Sequence, residues 1–127
     1  VFDDAPALKR LEKILHPLVR AAERRFLAAC RRRHEAVAVL DIPLLFETGG
    51  QARCDGVIVV SAPAALQRQR VMRRPGMTAE RFRSVLARQM PDREKRRRAD
   101  WVVPTGLGKT VTLRHLKKIL REVRKPR

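Results

Sequence analysis

The chain has 127 residues, enough for one domain with a hydrophobic core. Its formal net charge of +17 favours an anionic partner, either a nucleic acid or a phosphorylated small molecule, although much of this charge can equally be arginine solvated on helix faces. Cys30 and Cys54 lie far apart, without a C-x-x-C motif or paired histidines, so the sequence indicates neither a disulfide framework nor a zinc site.

The longest apolar stretch is interrupted by Asp41 and Pro43. It is far shorter than the roughly 20 residues that span a bilayer. The two cysteines are expected to stay reduced. The sequence therefore predicts a cytoplasmic protein without a membrane partner.

The first part of the chain is predicted to form two helices. Apolar residues recur at helical spacing between residues 5 and 15, and a second helix is predicted from Pro17 to about Arg33. The break falls at His16, because a residue before proline disfavours the helical conformation. At such a junction the imidazole of His16 could hydrogen-bond a free backbone amide or meet a phosphate, and both interpretations stay open.

An apolar run from Val37 to Leu40 leads into Asp41 and the turn-former Pro43. This pattern is typical of a buried parallel strand that ends in a loop. Open α/β sheets bind their ligands at the carboxyl ends of strands, where Asp41 would lie. Asp41 could therefore serve a ligand, or it could only cap the following turn.

Gly56 to Val60 is a second apolar run, and it is also predicted to be a buried strand. Too many residues separate it from the first run for a tight hairpin, and helical patterns surround both. The sequence therefore predicts an α/β fold with a parallel sheet. Trp101 to Val103 is predicted to be a third strand.

Two helices are predicted between the second and third strands. The first runs from Pro63 to about Arg74 and stops at Pro75-Gly76, and the second follows Thr78, a good N-cap. Together they form a helical hairpin with seven arginines, which are Arg68, Arg70, Arg73, Arg74, Arg81, Arg83 and Arg88.

Arg70 and Arg74 are four residues apart, so the sequence predicts that they share one helix face. The planar guanidinium group makes bidentate hydrogen bonds to phosphate oxygens and stabilises charge in phosphoryl transfer. These two arginines are therefore candidates for a catalytic role. A solvated basic face would show much the same pattern.

The last part of the chain contains a run of charged residues and a segment that resembles part of a phosphate-binding loop. Asp92 to Arg98 is predicted to be a short exposed helix, and the chain closes with an amphipathic helix. Between them, Gly108-Lys109-Thr110 mimics the end of a Walker A loop, G-x-x-x-x-G-K-[ST]. Val103 stands where the first glycine is required, so we predict that this segment is not a phosphate-binding loop.

The order and spacing of several motifs resemble those of the dephospho-coenzyme A kinase family. The run from Asp41 to Glu47, D-I-P-L-L-F-E, is similar to the D-x-P-L-L-F-E signature of that family. Further matches occur along nearly the whole chain, at Val1-Phe2, Leu11-Glu12, His16-Pro17, Gln67, Arg70, Arg74, Gly76, Thr78, Gln89 and Ala99-Asp100.

The resemblance implies a P-loop kinase-type parallel sheet with flanking helices and a helical lid. It also implies transfer of a phosphoryl group from ATP, with Mg²⁺, to the 3′-hydroxyl of dephospho-coenzyme A. In this scheme residues 1–36 form a helical acceptor region for the coenzyme A moiety. Residues 37–62 and 99–127 form parts of the nucleotide-binding core, and residues 63–98 form the lid.

The resemblance also implies roles for individual residues. It places Arg70 and Arg74 at the phosphates of ATP. Asp41, the third catalytic residue, would hold Mg²⁺ through water or orient the acceptor ribose, and the substrate-binding residues would be His16, Leu45, Phe46 and Glu47. Thr105 and Gly106 would border the adenine, although Pro104-Thr105 replaces the acidic residue and Asn that family members usually carry there. No residue is assigned as a metal ligand.

Family members begin with a strand and a Walker A loop, and this sequence starts after both. We therefore expect it to be a C-terminal fragment that is inactive alone. The alternative is a basic nucleic-acid-binding module. No zinc-finger spacing or RNP motif supports that alternative, and one Trp, four Phe and no Tyr offer few surfaces for base stacking, so a nucleic-acid partner is not favoured.

Overall fold

The computed structural model describes residues 4–125, so the Val1-Phe2 match lies outside the described residues. The chain divides into two compact units, the first ending at Asp41 and the second beginning at Ile42.

The first unit is dominated by one helix, α1 (Ala5–Arg32). The side chain of Asp4 caps it by accepting a hydrogen bond from the backbone N–H of Ala7 at 3.1 Å, and Pro6 lies in the first turn, where proline is tolerated. The prediction of two helices with a break at His16 is wrong, because α1 continues through Pro17.

The physical reason lies in the apolar spacing on either side of Pro17. Leu15, Leu18 and Phe26 continue one helical pattern across the proline, so the same helix face is kept before and after it. A proline inside a helix removes one backbone hydrogen bond and costs about 3 kcal/mol. A proline therefore kinks or weakens a helix, but here it does not end α1, which is 28 residues long.

The predicted strand from Val37 to Asp41 is also absent from the structure. Residues 37–41 have no strand assignment, and Val39 and Asp41 are exposed. A strand exists only when its backbone pairs with a neighbouring strand, and in the described residues the two strands of the sheet pair with each other. The apolar run has strand-like composition but no pairing partner.

The second unit contains a two-stranded parallel sheet. Strand β1 (Ile58–Ser61) pairs with β2 (Trp101–Pro104) in a register that aligns Ile58 with Trp101 and Ser61 with Pro104. The predicted second and third strands are therefore confirmed with small shifts at their ends. The parallel α/β class is confirmed as well.

Helices connect and cover these strands. After β1 come α2 (Ala64–Met72), α3 (Ala79–Arg88) and α4 (Asp92–Arg98), and α5 (Lys109–Arg124) follows β2. A short 3₁₀ helix, Gly50–Arg53, precedes β1. The helices α2 and α3 pack against each other, α4 packs against β1, and α5 packs against β2. We call α2, α3 and the turn between them the helical hairpin.

The core of the second unit lies on both faces of the sheet, because Val59 is aligned with Val102 and Val103 with Val60, and successive strand residues point to opposite faces. Phe46, Val57 and Val59 are buried together, and the partly buried side chains packed against them are Leu45, Cys54, Met90 and Ala99. Val103 in β2 is completely buried, and α5 contributes the buried Ile119. No helix within residues 4–125 is both long enough and apolar enough to cross a membrane.

Thr78 is the predicted N-cap of α3, and the structure confirms it. Its hydroxyl accepts a hydrogen bond from the backbone N–H of Arg81 at 3.1 Å. We predict that Thr78→Ala lowers the free energy of unfolding by about 1 kcal/mol, because one N-terminal N–H of the helix loses its partner. Thr78→Ser keeps a capping hydroxyl and should unfold like the wild type. Urea unfolding followed by circular dichroism measures the difference, and equal midpoints for all three proteins would contradict the assignment.

Candidate functional site

The carboxyl ends of β1 and β2 lie side by side, which is where parallel sheets place their ligands. The turn after β2 is fixed to the end of β1, because the backbone N–H and the hydroxyl of Thr105 both donate to the carbonyl oxygen of Ser61, at 2.8 and 3.2 Å. A β-carbon on Gly106 would lie 3.2 Å from side-chain atoms of Leu66 and Pro63. The absence of a side chain at Gly106 thus allows this turn to approach the start of α2.

Arg70 extends from α2 to this same turn. Its Nη2 atom donates a hydrogen bond to the carbonyl oxygen of Thr105 at 2.9 Å, and its side chain is otherwise exposed. Two residues that the sequence predicted for the site, 35 positions apart, are therefore in direct contact. The hairpin is connected to the turn through an arginine side chain whose acceptor there is a neutral carbonyl oxygen.

Arg74 does not share a helix face with Arg70, so that prediction is wrong. Helix α2 ends at Met72, and Arg74 lies in the turn that leads to α3. The cause is local. Pro75 disfavours the helical conformation of the residue before it, and Gly76 adopts a left-handed φ of 76° that reverses the chain. Arg74 is exposed at the turn of the hairpin.

Asp92 links the two ends of the hairpin, and sequence reasoning missed it. Its Oδ2 atom accepts a hydrogen bond from the hydroxyl of Ser61 at 2.8 Å and lies 2.9 Å from Nε of Arg96. The only signal in the sequence was an acidic residue directly after Pro91, inside a run that reads as an exposed charged helix. Ser61, Asp92 and Arg96 border an open cleft of about 720 Å³. The other polar side chains that line this cleft are those of Gln67, Gln89 and Lys95.

Glu47 lies in the family-like motif, and its side chain is largely buried. Its Oε2 atom accepts a hydrogen bond from the backbone N–H of Met90 at 2.9 Å and lies 3.4 Å from Nζ of Lys95. Burial by itself would raise the pKa of Glu47. The hydrogen bonds from Met90 and from its own backbone amide, with the nearby Lys95 ammonium, outweigh burial and lower the pKa below its ordinary value of 4.5.

Leu45 and Phe46 belong to the core of the second unit. Phe46 is 8% exposed and packs with Val57 and Val59, so little of its surface is left for a ligand. Leu45 is half-buried against the same cluster. The expectation that Phe46 binds substrate directly is not supported by this placement.

His16 and Asp41 belong to the first unit. Both side chains are exposed, and within residues 4–125 neither makes a hydrogen bond or an ion pair. His16 lies in the middle of α1 rather than at a helix junction, so it cannot cap a free amide there. The structure thus leaves the predicted substrate role of these two residues untested.

The segment that mimics a Walker A loop has the wrong geometry for one. Val103 lies inside β2 and is fully buried, and α5 begins at Lys109. The loop between them therefore holds only residues 105–108. A phosphate-binding loop needs its first glycine within the loop, and that position is occupied here by a core strand residue.

Mg²⁺ takes oxygen ligands and in kinases is held by one or two carboxylates together with the substrate phosphates. In the part of the chain that the structure describes, no group of three or more His, Cys, Asp and Glu side chains could hold a metal ion. These residues do not form a magnesium site by themselves. We assign no catalytic step to a metal ion.

Comparison with known proteins agrees with this arrangement of strands, hairpin and motif loop. The family model described as dephospho-CoA kinase matches residues 1–107. The chain belongs to the dephospho-CoA kinase family. Both strands of the sheet, the whole hairpin and the turn with Thr105 lie within the matched residues, and α5 lies beyond them.

Individual dephospho-CoA kinases are similar to nearly the whole chain. A relative from Mesorhizobium japonicum is 56% identical over 124 residues, which are 98% of this chain and 63% of the relative. A relative from Rhodospirillum rubrum is 59% identical over 117 residues, which are 92% of this chain and 56% of the relative. The chain thus spans less than two thirds of the length of these dephospho-CoA kinases.

Two solved structures are similar to nearly the whole chain. The crystal structure of TT1252 from Thermus thermophilus superposes with a TM-score of 0.75 at 37% identity, over 96% of this chain and 62% of that one. A dephospho-CoA kinase from Campylobacter jejuni superposes with a TM-score of 0.62 at 28% identity, over 96% of this chain and 60% of that one. The fold class predicted from the sequence, part of a P-loop kinase-type sheet, is confirmed.

The contacts of Glu47 predict a pH dependence of stability. Because the pKa of Glu47 is lowered in the folded chain, its contribution is complete above the ordinary value of 4.5 and is lost as the pH falls through the folded value. Glu47→Gln should therefore lower the free energy of unfolding by about 1 kcal/mol at pH 7, since a charge-assisted hydrogen bond is replaced by a neutral one.

Urea titrations at pH 7 and at steps below pH 4.5 measure this effect. The difference between wild type and Glu47→Gln should shrink towards zero as the carboxyl group of Glu47 takes up its proton. Asp55→Asn is the matched control, because Asp55 is an exposed carboxylate of the same unit without a hydrogen bond or ion pair among the described residues. A difference that stays constant with pH would show that charge on Glu47 is not involved.

Proposed function

We propose that this chain is the C-terminal part of a dephospho-CoA kinase, which transfers the γ-phosphoryl group of ATP to the 3′-hydroxyl of dephospho-CoA in the last step of coenzyme A biosynthesis. Family membership supports the reaction. The contact between Arg70 and Thr105 supports the roles of this part, since it joins the helical hairpin to the turn at the carboxyl edge of the sheet. This hydrogen bond is the observation on which the proposal depends most.

Arg70 is the residue that we expect to meet the phosphates of ATP. A guanidinium group has five N–H donors, and the hydrogen bond to Thr105 uses only one of its nitrogen atoms. The other N–H groups of the exposed guanidinium can bind phosphate oxygens while Arg70 stays hydrogen-bonded to the turn. Arg74, on the exposed turn of the hairpin, would approach the phosphates only when the hairpin moves towards them.

Seven arginines and one acidic residue, Glu80, lie between positions 63 and 91. Repulsion among these arginines favours an open hairpin without ATP, and bound phosphates would neutralise the cluster and draw the hairpin closed. Such closure would place a guanidinium group on the phosphoryl group during transfer, where it stabilises the developing charge.

The remaining roles concern the acceptor, the adenine and the metal. Asp41 would orient the acceptor ribose, with His16 and Leu45 contributing to the dephospho-CoA pocket. Thr105 and Gly106 would border the adenine through backbone atoms, because the hydroxyl of Thr105 is already bonded to Ser61. Mg²⁺ would accompany ATP, although the described residues offer it no complete site. A cytoplasmic location is part of this proposal, and the two free cysteines support it.

The alternative function, a basic nucleic-acid-binding module, gains no support from the comparisons. The relatives matched over most of this chain are dephospho-CoA kinases. The high positive charge has an explanation within the proposed enzyme, whose two substrates are both anionic.

We predict that Arg70→Ala lowers kcat at least about tenfold in a full-length enzyme that contains this chain, since removal of a donor that acts in the transition state typically costs about 2.7–4 kcal/mol. Arg70→Lys should restore only part of the rate, because an ammonium group lacks the planar fork. Such an enzyme can be made by joining the chain to the N-terminal segment of the Mesorhizobium japonicum relative. Steady-state kinetics at saturating ATP give the rates.

Arg83→Ala is the matched control for Arg70→Ala. Arg83 is an exposed arginine of the same hairpin, on α3, and it makes no hydrogen bond or ion pair among residues 4–125. Its replacement should leave kcat within about twofold of the wild type. A normal kcat in Arg70→Ala, or equal losses in both variants, would refute a specific role for Arg70.

The 127-residue chain alone is predicted to lack ATP-dependent phosphorylation of dephospho-CoA. A P-loop kinase needs the Walker A lysine and its backbone cradle, and residues 1–127 contain no complete Walker A motif. An assay of phosphorylated product with purified chain, beside the full-length enzyme as a positive control, tests this. Turnover by the chain alone would overturn the prediction.

A further inference from the structure

Two short segments connect the helical hairpin to the rest of the second unit. Residues 61–63 lead from β1 into α2, and residues 89–91 lead from α3 into α4. We call these segments the first root and the second root. The position of every arginine on the hairpin depends on how firmly the two roots are held.

The second root is held by Glu47. The backbone N–H of Met90 donates to Oε2 of Glu47 at 2.9 Å, and Lys95 from α4 lies 3.4 Å from the same oxygen. The side chains of Glu47 and Lys95 are only 15% and 23% exposed. Met90 also packs against the core cluster, so the root is fixed by an apolar contact and a charge-assisted hydrogen bond together.

The first root is tied to the second. The hydroxyl of Ser61 donates to Asp92 at 2.8 Å, one residue beyond the second root. The side chain of Gln67 donates to the carbonyl oxygen of Ala62 at 2.7 Å and holds the start of α2. The two roots are therefore connected to each other, and Glu47 connects the pair to the loop of the D-I-P-L-L-F-E motif.

We propose that Glu47 is a positioning residue that holds the helical hairpin in place for Arg70, and that it does not contact substrate. From Met90 the connection continues through α3 to α2, which packs against it with Arg68 above the ring of Phe82, 5.5 Å from the ring centre. Helix α2 carries Arg70 to the carbonyl oxygen of Thr105. This inference rests on the proposed function, because it gives Glu47 its role through Arg70.

The contacts of Glu47 favour positioning over substrate binding. One carboxylate oxygen, Oε2, accepts the hydrogen bond from the backbone N–H of Met90 and forms the ion pair with Nζ of Lys95. The other, Oε1, is buried and has no hydrogen-bond partner among the described residues. A carboxylate with both oxygens inside the protein cannot bind an anionic substrate at the surface, and its negative charge would repel one.

Hydrogen exchange in the 127-residue chain tests the anchoring directly and needs no activity. In Glu47→Ala, the backbone amides of Gln89 and Met90 should exchange faster than in the wild type, while the amides of residues 101–103 in β2 keep their rates. Glu47→Gln retains an acceptor for Met90 and should fall between the two. Unchanged exchange at Gln89 and Met90 in Glu47→Ala would overturn the proposal, as would an equal increase across the whole unit.

Kinetics of the full-length enzyme test the link to Arg70. Glu47→Ala should lower kcat by about three- to tenfold through misplacement of Arg70, with the KM for dephospho-CoA unchanged. In an Arg70→Ala background the same replacement should cause no further loss of kcat. A raised KM for dephospho-CoA with normal kcat would instead show that Glu47 binds substrate, and an equal loss in both backgrounds would show that it does not act through Arg70.

These outcomes also separate the two proposals from each other. If Arg70→Ala keeps a normal kcat, the proposed role of Arg70 fails, whatever Glu47 does. If Arg70→Ala loses activity and Glu47→Ala does not, only the positioning role fails. The exchange measurement still decides on anchoring if the joined enzyme does not fold.

Discussion

The pairing of two four-residue strands is the constraint on which the second unit depends. A parallel pair of strands as short as this is weak by itself. Hydrogen bonds from side chains and backbone groups outside the strands stabilise the pair at both ends. At the amino end, the carboxylate of Asp100 accepts from the backbone N–H of Val57 at 2.8 Å. At the carboxyl end, Thr105 donates twice to the carbonyl oxygen of Ser61. The turn with Thr105, which Arg70 contacts, is attached at that carboxyl end.

Local sequence chemistry predicted most of the second unit. The two strands, the hairpin, the Thr78 cap and the short helix from Asp92 to Arg98 all follow from apolar runs, proline, glycine and capping residues. These signals act over a few neighbouring residues. The signals themselves therefore do not depend on contacts with distant parts of the chain. The strand predicted at 37–41 is different, because a strand needs a pairing partner and composition cannot supply one.

The two proline positions show why a local rule can fail. His16 and Arg74 both precede a proline, yet α1 continues through Pro17 and α2 ends before Pro75. At Pro75 a glycine follows at once and takes a left-handed conformation that only glycine adopts freely, so two signals agree. At Pro17 helical apolar spacing continues on both sides, and it outweighs a single proline. The predicted position of His16 was wrong because the helix continues through Pro17, and that of Arg74 was wrong because α2 ends two residues before it, at Met72.

The site residues were predicted less completely than the fold, because their contacts join segments far apart in sequence. Arg70 and Thr105 were each identified from motif positions, but their hydrogen bond was not foreseeable. Asp92 looked like one charge among many, and its bond to Ser61 appears only when β1 and α4 are packed together. Motif matching gave Phe46 and Glu47 a substrate role but could not predict their contacts, which are the core cluster for Phe46 and the backbone N–H of Met90 for Glu47.

The partners of the arginines distinguish a structural charge from one available to substrate. On α4, Arg96 is paired with Asp92, and Arg97 and Arg98 share the carboxylate of Glu94, so two of the three positive charges are offset. On the hairpin, Arg70 and Arg81 are held by neutral carbonyl oxygens of Thr105 and Gly76. A neutral acceptor fixes the direction of a guanidinium group without neutralising it. The carboxylates of Glu47 and Asp92 therefore bind next to the roots of the hairpin, whereas Arg70 and Arg81 on the hairpin itself have neutral acceptors.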